Sequence, residues 1–338
     1  MISVLFRMFN VVLSIVTILF SMGQPSNPNT PVVINPNATN PYINTYGKPG
    51  ISAHRSGAGL APENTLMAFE TCVNAKDFSI DTFECDVNIT KDGELVLLHD
   101  YIYDNVSNAV EAFGRPAIMP GDYTYQQLHD NLNLGAKFQD GQPNYAKLRG
   151  KDIPENLRVL RLQDILDYTE SHTRAGKPWR YTIEIKSLGT AGYRAADKLY
   201  EILAARGMLE RVVVGTFLPD VSMYISTSHP DMVRSANPFE VLMFYINSRA
   251  NTDLSGQKLG YSVLQVPYGD TLVDGTMPWG IQVIVNLGTR EFINYAHKYN
   301  IAVQYWTIDK PEDMRLLRDN GADAIMTNWP SVAWETLH

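Results

Sequence analysis

Three short stretches of the chain set ionisable side chains at the ends of apolar runs. They are Ala53-His54-Arg55, then Glu84-Cys85-Asp86 with His99-Asp100 shortly after it, and Glu184-Ile185-Lys186. Side chains alternate across a strand, so Glu84 and Asp86 share one face, as do Glu184 and Lys186. Three carboxylates brought together repel one another unless a cation neutralises them, and an all-oxygen set suits calcium or magnesium better than zinc. Arginine and lysine suit a phosphate. Imidazole titrates near pH 6.5, so His54 and His99 can divide the roles of acid and base. The combination points to phosphoryl chemistry, provided the fold brings the three stretches to one place.

The elements that would do so are strand-like runs at 51–54, 83–89, 95–99, 181–186, 211–217, 232–235, 262–266, 302–308 and 324–327. Helical stretches separate several of them, notably 163–175, 191–206, 290–299 and 311–320. Pro62-Glu63-Asn64-Thr65 opens a further amphipathic helix. This alternation predicts parallel α/β architecture. The charged residues fall at strand C-terminal ends, where (β/α)8 TIM barrels carry their sites, and the chain has no GxGxxG to favour a dinucleotide fold. Nine strand candidates compete for eight barrel places, and 262–266 is expected to be the extra piece. Residues 101–159 show no parallel-strand pattern but carry Tyr101, Tyr103, Phe113, Tyr123 and Tyr125. They read as a small insert after the third strand, placed over the barrel mouth.

The 338-residue chain has room for such a barrel, which takes about 250 residues, and 45% hydrophobic residues supply its core. A net charge of −8 argues against a nucleic-acid partner. Two cysteines, Cys72 and Cys85, exclude a four-cysteine zinc site and leave a single disulfide open. Residues 1–23 form an apolar segment with Arg7 near its start. The stretch 2–22 approaches the ~20 residues that span a bilayer, so it reads as a membrane anchor or an export signal. Either reading places the body outside the cytoplasm, anchored or secreted. Residues 24–49 hold six prolines and six asparagines and read as an extended linker. The folded body is expected over 50–338.

The motifs resemble a known family. Ala53-His54-Arg55, Ala61-Pro62-Glu63-Asn64-Thr65, Glu84-Cys85-Asp86-Val87, Lys91-Asp92-Gly93 and His99-Asp100 look like the glycerophosphodiester phosphodiesterase signature, in order and at close spacing. Glu184-Ile185-Lys186, Trp306-Thr307-Ile308-Asp309 and the run from Gly321 to Asn328 match in kind, so the resemblance covers roughly 50–332. It implies a (β/α)8 barrel with an insert and hydrolysis of glycerophosphodiesters to glycerol 3-phosphate and an alcohol. It also implies one divalent cation, calcium or magnesium, held by Glu84, Asp86 and Glu184. A cyclic phosphate intermediate is implied, with His54 as the base and His99 as the acid in its formation. Arg55 and Lys186 would stabilise phosphoryl charge, and Trp306 would wall the glycerol carbons or sit in the core. Glu63 fits either the site or the first turn of the following helix, and Gln265 is expected to point into the barrel.

The chain departs from the family pattern in three places. His54-Arg55-Ser56-Gly57 stands for His-Arg-Gly, Asp309 for the Asn of Trp-Thr-Val-Asn, and Asn328 for the Asp of Thr-Asp. None of these is expected to touch the metal ligands or the histidines. Lipid-directed relatives of the lysophospholipase D or sphingomyelinase D type share the barrel and form a second reading. A non-catalytic binding module forms a third, and it would be expected to lack a histidine or carboxylate that this chain keeps.

Overall fold

A computed structural model describes residues 25–34, 38–44, 47–138, 144–173, 176–268 and 286–338. Its strands are β1 (Gly50–Ala53), β2 (Thr82–Ile89), β3 (Leu95–Leu97), β4 (Arg180–Ile185), β5 (Val212–Gly215), β6 (Val263–Pro267), β7 (Ala302–Trp306) and β8 (Ala324–Thr327). The α-helices are α1 (Leu66–Val73), α2 (Ala109–Phe113), α3 (Tyr125–Asn131), α4 (Leu162–Ser171), α5 (Gly189–Ala205), α6 (Pro219–Ser228), α7 (Pro238–Ala250), α8 (Arg290–Lys298), α9 (Pro311–Asn320) and α10 (Pro330–Leu337). Seven strands pair in parallel in the order β5-β4-β2-β1-β8-β7-β6. The eighth place is taken by residues 232–235, too short for a regular ladder, which bridge Val214 to Arg234 and Ser235 to Val263. The result is a (β/α)8 barrel.

The helices follow from local signals. Thr65 caps α1 by accepting the Ala68 N–H, and Asn237 with Glu240 forms a reciprocal capping box on α7. Along α5, Ala195, Ala196, Leu199, Ile202 and Leu203 recur on one side and are buried against the sheet. α9 stops at Gly321, whose φ of 96° places it in the left-handed region.

Two expectations need correction. Residues 262–266 are a true barrel strand, β6, and the extra piece is instead β3, which pairs antiparallel with β2. The five residues between β2 and β3 are too few for a crossover, so β3 turns straight back on its neighbour. The insert therefore follows the third strand of the chain but only the second strand of the barrel. It is not a loop: Val96, Leu98, Tyr103, Ala109, Ile118, Leu128, Leu132, Leu134 and Val159 form a core of their own beside the barrel. Both cysteines are free and buried.

The proline- and asparagine-rich stretch is not a free tether where it is described. Residues 38–44 run beneath the barrel, where Tyr42 and Ile43 pack with Val213, Val263 and Ala302. Asn40 Nδ2 donates to the carbonyls of Ser262 at 2.8 Å and Asn300 at 2.9 Å, and Tyr42 Oη donates to the Glu210 carbonyl at 2.9 Å. Residues 26–33 then lie along α8, with Val33 N–H on Asn294 Oδ1 and Asn27 N–H on Glu291 Oε1. Asparagine supplies what such a strap needs, an amide that both donates and accepts. The segment 1–23 lies outside the described residues. Among the described residues no helix is long and apolar enough to cross a membrane. Asn40→Ala should lower the unfolding free energy by about 1–3 kcal/mol in urea titrations, with turnover unchanged because the mouth is at the other end of the barrel.

Candidate active site

β2 and β4 set the acidic residues. Their parallel register places Asp86 beside Glu184 and Glu84 beside Thr182, with alternate side chains turned toward the barrel interior. Glu84 and Asp86 are buried, and Glu184 is nearly so. Burial raises the Glu84 carboxyl well above its ordinary range, and the charge of Asp86 raises it further. The same two causes raise Glu184, against the opposing pull of Lys186. Lys186 Nζ lies 2.9 Å from Glu184 Oε1 and 3.5 Å from Asp86 Oδ1. Burial opposes its charge, but those carboxylates win and hold the ammonium above its usual range.

The loop after β1 supplies the other side. Arg55 and Ser56 adopt φ of 47° and 65°, an uncommon region for non-glycine residues, and this turn aims the Arg55 N–H at Glu84 Oε2, 2.6 Å away. The Arg55 guanidinium grips Glu63 through Nη1 at 2.9 and 3.1 Å, while its buried Nε has no protein partner. Glu63 thus bears on the site through Arg55 and does not line its cavity. Asn64, also left-handed at φ 55°, donates Nδ2 to Asp86 Oδ2 at 2.9 Å and accepts the Asp86 N–H at 3.1 Å. The sequence reading missed this role, although Asn64 lies in the quoted Pro-Glu-Asn-Thr motif.

The two histidines are held differently. His54 Nδ1 is 2.7 Å from Asn328 Oδ1. Asp309 fixes that amide by accepting Asn328 Nδ2–H at 2.8 Å and Asn328 N–H at 2.9 Å, and it also accepts from Thr327 Oγ1 at 2.8 Å. With Nδ2 committed to a carboxylate, Oδ1 must accept, so His54 carries its proton on Nδ1 and leaves Nε2 as an acceptor. Burial lowers the His54 pKa to about 4, against the opposing hydrogen bond to Asn328 and with a further push from the charge of Arg55. His99 Nδ1 instead meets the Asp100 carboxylate at 2.8 Å, and Asn105 of the insert fixes that carboxylate at 2.5 Å. The expectation that Asp309 and Asn328 stand clear of the histidines is therefore wrong: they exchange places as carboxylate and amide, and the amide touches His54.

One cavity of about 390 Å³ gathers these groups. His54, Arg55, Glu84, His99, Glu184 and Lys186 line it, opposite an apolar wall of Phe217, Pro238, Val241, Pro267 and Trp306. Trp306 meets Phe217 edge to face at 5.7 Å, so it belongs to the site and not to the core. Gln265 points inward as expected, donating to Thr182 Oγ1 at 3.1 Å and Gln304 Oε1 at 3.0 Å. Asp86 is reached through Lys186 and Asn64 and does not line the cavity. No described residue of the insert lines it, and Asn105 of the insert supports Asp100. Phe217 and Val241 were not legible in advance, because an aromatic and a valine beyond strand ends look like any others.

The donor set suits a hard divalent cation. Three clustered carboxylates face one ammonium, and two of the three are pushed toward protonation by burial and one another. Among the described residues no three acidic, histidine or cysteine side chains stand ready as a ligand cage, and Lys186 Nζ lies against both Glu184 and Asp86. Removing a buried carboxylate charge should therefore stabilise the metal-free fold. A carboxyl raised in the folded state loses stability as pH rises above its unfolded value, so at pH 7 Glu84→Gln should gain stability over the wild type. Calorimetry should show this gain together with lost turnover.

The model of the glycerophosphoryl diester phosphodiesterase family matches residues 54–332. A glycerophosphodiester phosphodiesterase of Bacillus subtilis is 24% identical over 288 residues, covering 83% of each chain. One from Caldanaerobacter subterraneus is 26% identical over 284 residues, covering 83% of this chain and 95% of its own. Among solved structures, the glycerophosphoryl diester phosphodiesterase domain of an uncharacterized Mycobacterium tuberculosis protein superposes with a TM-score of 0.67 at 19% identity, over 86% of this chain and all of that domain. An Oleispira antarctica phosphodiesterase in complex with the product sn-glycerol-3-phosphate gives 0.58 at 14% identity, over 86% and 96%. Motifs, barrel and family match agree: the chain belongs to the glycerophosphoryl diester phosphodiesterase family and is an enzyme of that class.

Proposed function

We propose that this enzyme hydrolyses glycerophosphodiesters to glycerol 3-phosphate and an alcohol in two steps shared by His54 and His99. The observation that carries this reading is the unequal support of the two imidazoles in one cavity. A neutral amide on Nδ1 leaves His54 uncharged, with Nε2 free to take a proton. His99, whose Nδ1 is held by the Asp100 carboxylate, lines the same cavity and can give one. In the first step a substrate hydroxyl beside the phosphate gives its proton to His54 as its oxygen bonds to phosphorus. The bond to the leaving alcohol breaks, and that oxygen takes a proton from His99. The resulting cyclic phosphate is opened by water with the roles exchanged.

Glu84, Asp86 and Glu184 would hold one divalent cation, calcium or magnesium, whose charge would offset that on the phosphoryl oxygens. Arg55, with its unpartnered Nε, and Lys186 add donors to those oxygens. Trp306 and Phe217 offer an apolar face to the glycerol carbons. The apolar segment 1–23 would deliver the body outside the cytoplasm as an anchor or a signal.

Purified full-length enzyme should release glycerol 3-phosphate in a coupled assay, and a chelator should abolish the release until calcium or magnesium is restored. His54→Ala and His99→Ala should each lower kcat about 10²–10⁴-fold with nearly unchanged melting; full turnover in either would sink the acid–base assignment. The paired exchange Asp309→Asn with Asn328→Asp keeps the hydrogen bonds but puts a carboxylate on His54. It should raise the pKa of the base and move the acidic limb of the kcat/KM profile to higher pH.

A further inference from the structure

One part of the cavity lining has no task in the two-histidine reaction. β5 leads from Gly215, paired in register with Glu184, to the wall residue Phe217 two positions on. Gly215, Ser235 and Gln265 line the cavity together with Glu184. A Cβ placed on Gly215 would lie 3.2 Å from Ser235 Oγ, 3.3 Å from Gln265 Oε1 and 4.0 Å from Glu184 Cγ. The bare glycine therefore leaves a niche the size of one small group, bounded by a hydroxyl and an amide oxygen and set beside the acidic cluster.

Both polar groups are held in place. Gln265 spends its two N–H bonds inside the barrel, on Thr182 Oγ1 at 3.1 Å and Gln304 Oε1 at 3.0 Å. That leaves Oε1 to accept. Ser235 belongs to the short run 232–235, yet it is tied to both neighbouring strands. Its N–H donates to the Val214 carbonyl at 3.0 Å, and the next N–H, of Ala236, donates to the Val263 carbonyl at 2.8 Å. The buried Arg234, ion-paired with Glu240 at 2.6 Å, donates to the Ser235 carbonyl at 2.9 Å. A hydroxyl both donates and accepts, whereas an amide oxygen only accepts. The group that complements this niche is itself a hydroxyl, donating to Gln265 Oε1 and accepting from Ser235 Oγ. A methyl group would fill the same space and leave the amide oxygen cut off from water without a donor.

We propose that Gly215, Ser235 and Gln265 bind the substrate hydroxyl that neither attacks phosphorus nor carries the phosphate, and so select a triol over a diol. This rests on the phosphodiesterase reading above and adds a specificity element to it. The attack itself needs only one hydroxyl beside the phosphate. A propane-1,2-diol phosphodiester therefore keeps the reacting groups and lacks only the one the niche would hold. The test compares soluble diesters of glycerol and of propane-1,2-diol, each with ethanolamine as the leaving alcohol and its release as the readout. With calcium or magnesium supplied, the wild type should favour the glycerol diester about 10–100-fold in kcat/KM. Gly215→Ala fills the niche without removing either polar group, and Ser235→Ala takes away the hydroxyl. Each should lower that ratio, the first to near unity. A wild-type ratio near unity would overturn the proposal and leave the phosphodiesterase reading standing. So would variants that slow both diesters in parallel with the ratio intact, which is what a merely structural role would give. Inactivity of the wild type on both diesters would remove both.

Discussion

The crowding of three carboxylates at the inner ends of β2 and β4 is the constraint around which the rest is arranged. A parallel ladder brings Asp86 beside Glu184 whatever the cost, and burial removes the water that would screen them. The surroundings answer that cost. Lys186 leans across the pair, the Arg55 N–H and the Asn64 amide each take a carboxylate oxygen, and the left-handed backbone at Arg55, Ser56 and Asn64 aims them. Strain in the loops and surplus charge on the strands are two sides of one arrangement, stability held back for binding.

Much of this was legible because strand periodicity is strict. Glu84, Asp86, Glu184 and Lys186 could be assigned to one interior from spacing alone, and Ala324–Thr327 and Pro311–Asn320 appear with the expected bounds. Spacing does not reveal pairing direction, so β3 looked like a barrel strand and β6 like the surplus one. Residues 232–235 earn their place through two bridges and a handful of backbone bonds, which no local pattern announces.

The histidine supports were the harder case. Asp309 and Asn328 look like unrelated departures in two distant motifs, and only the fold shows that they are one hydrogen-bonded unit. An exchange that preserves the hydrogen bonds while moving the charge one residue further from His54 alters proton affinity more than geometry. Likewise Asn105 acts on His99 only through Asp100, so part of the insert's contribution to the site is indirect.

The docked strap changes where the folded unit begins. Tyr42 and Ile43 cover Val213, Val263 and Ala302, and Asn44 N–H and His297 both bond to the buried Asp323 carboxylate. A protein cut at the first strand would open that floor to water and strip the acid of a donor. Gly50 is thus a boundary of topology alone; the boundary of cooperative stability lies some twenty-five residues upstream, inside a stretch whose composition reads as disorder.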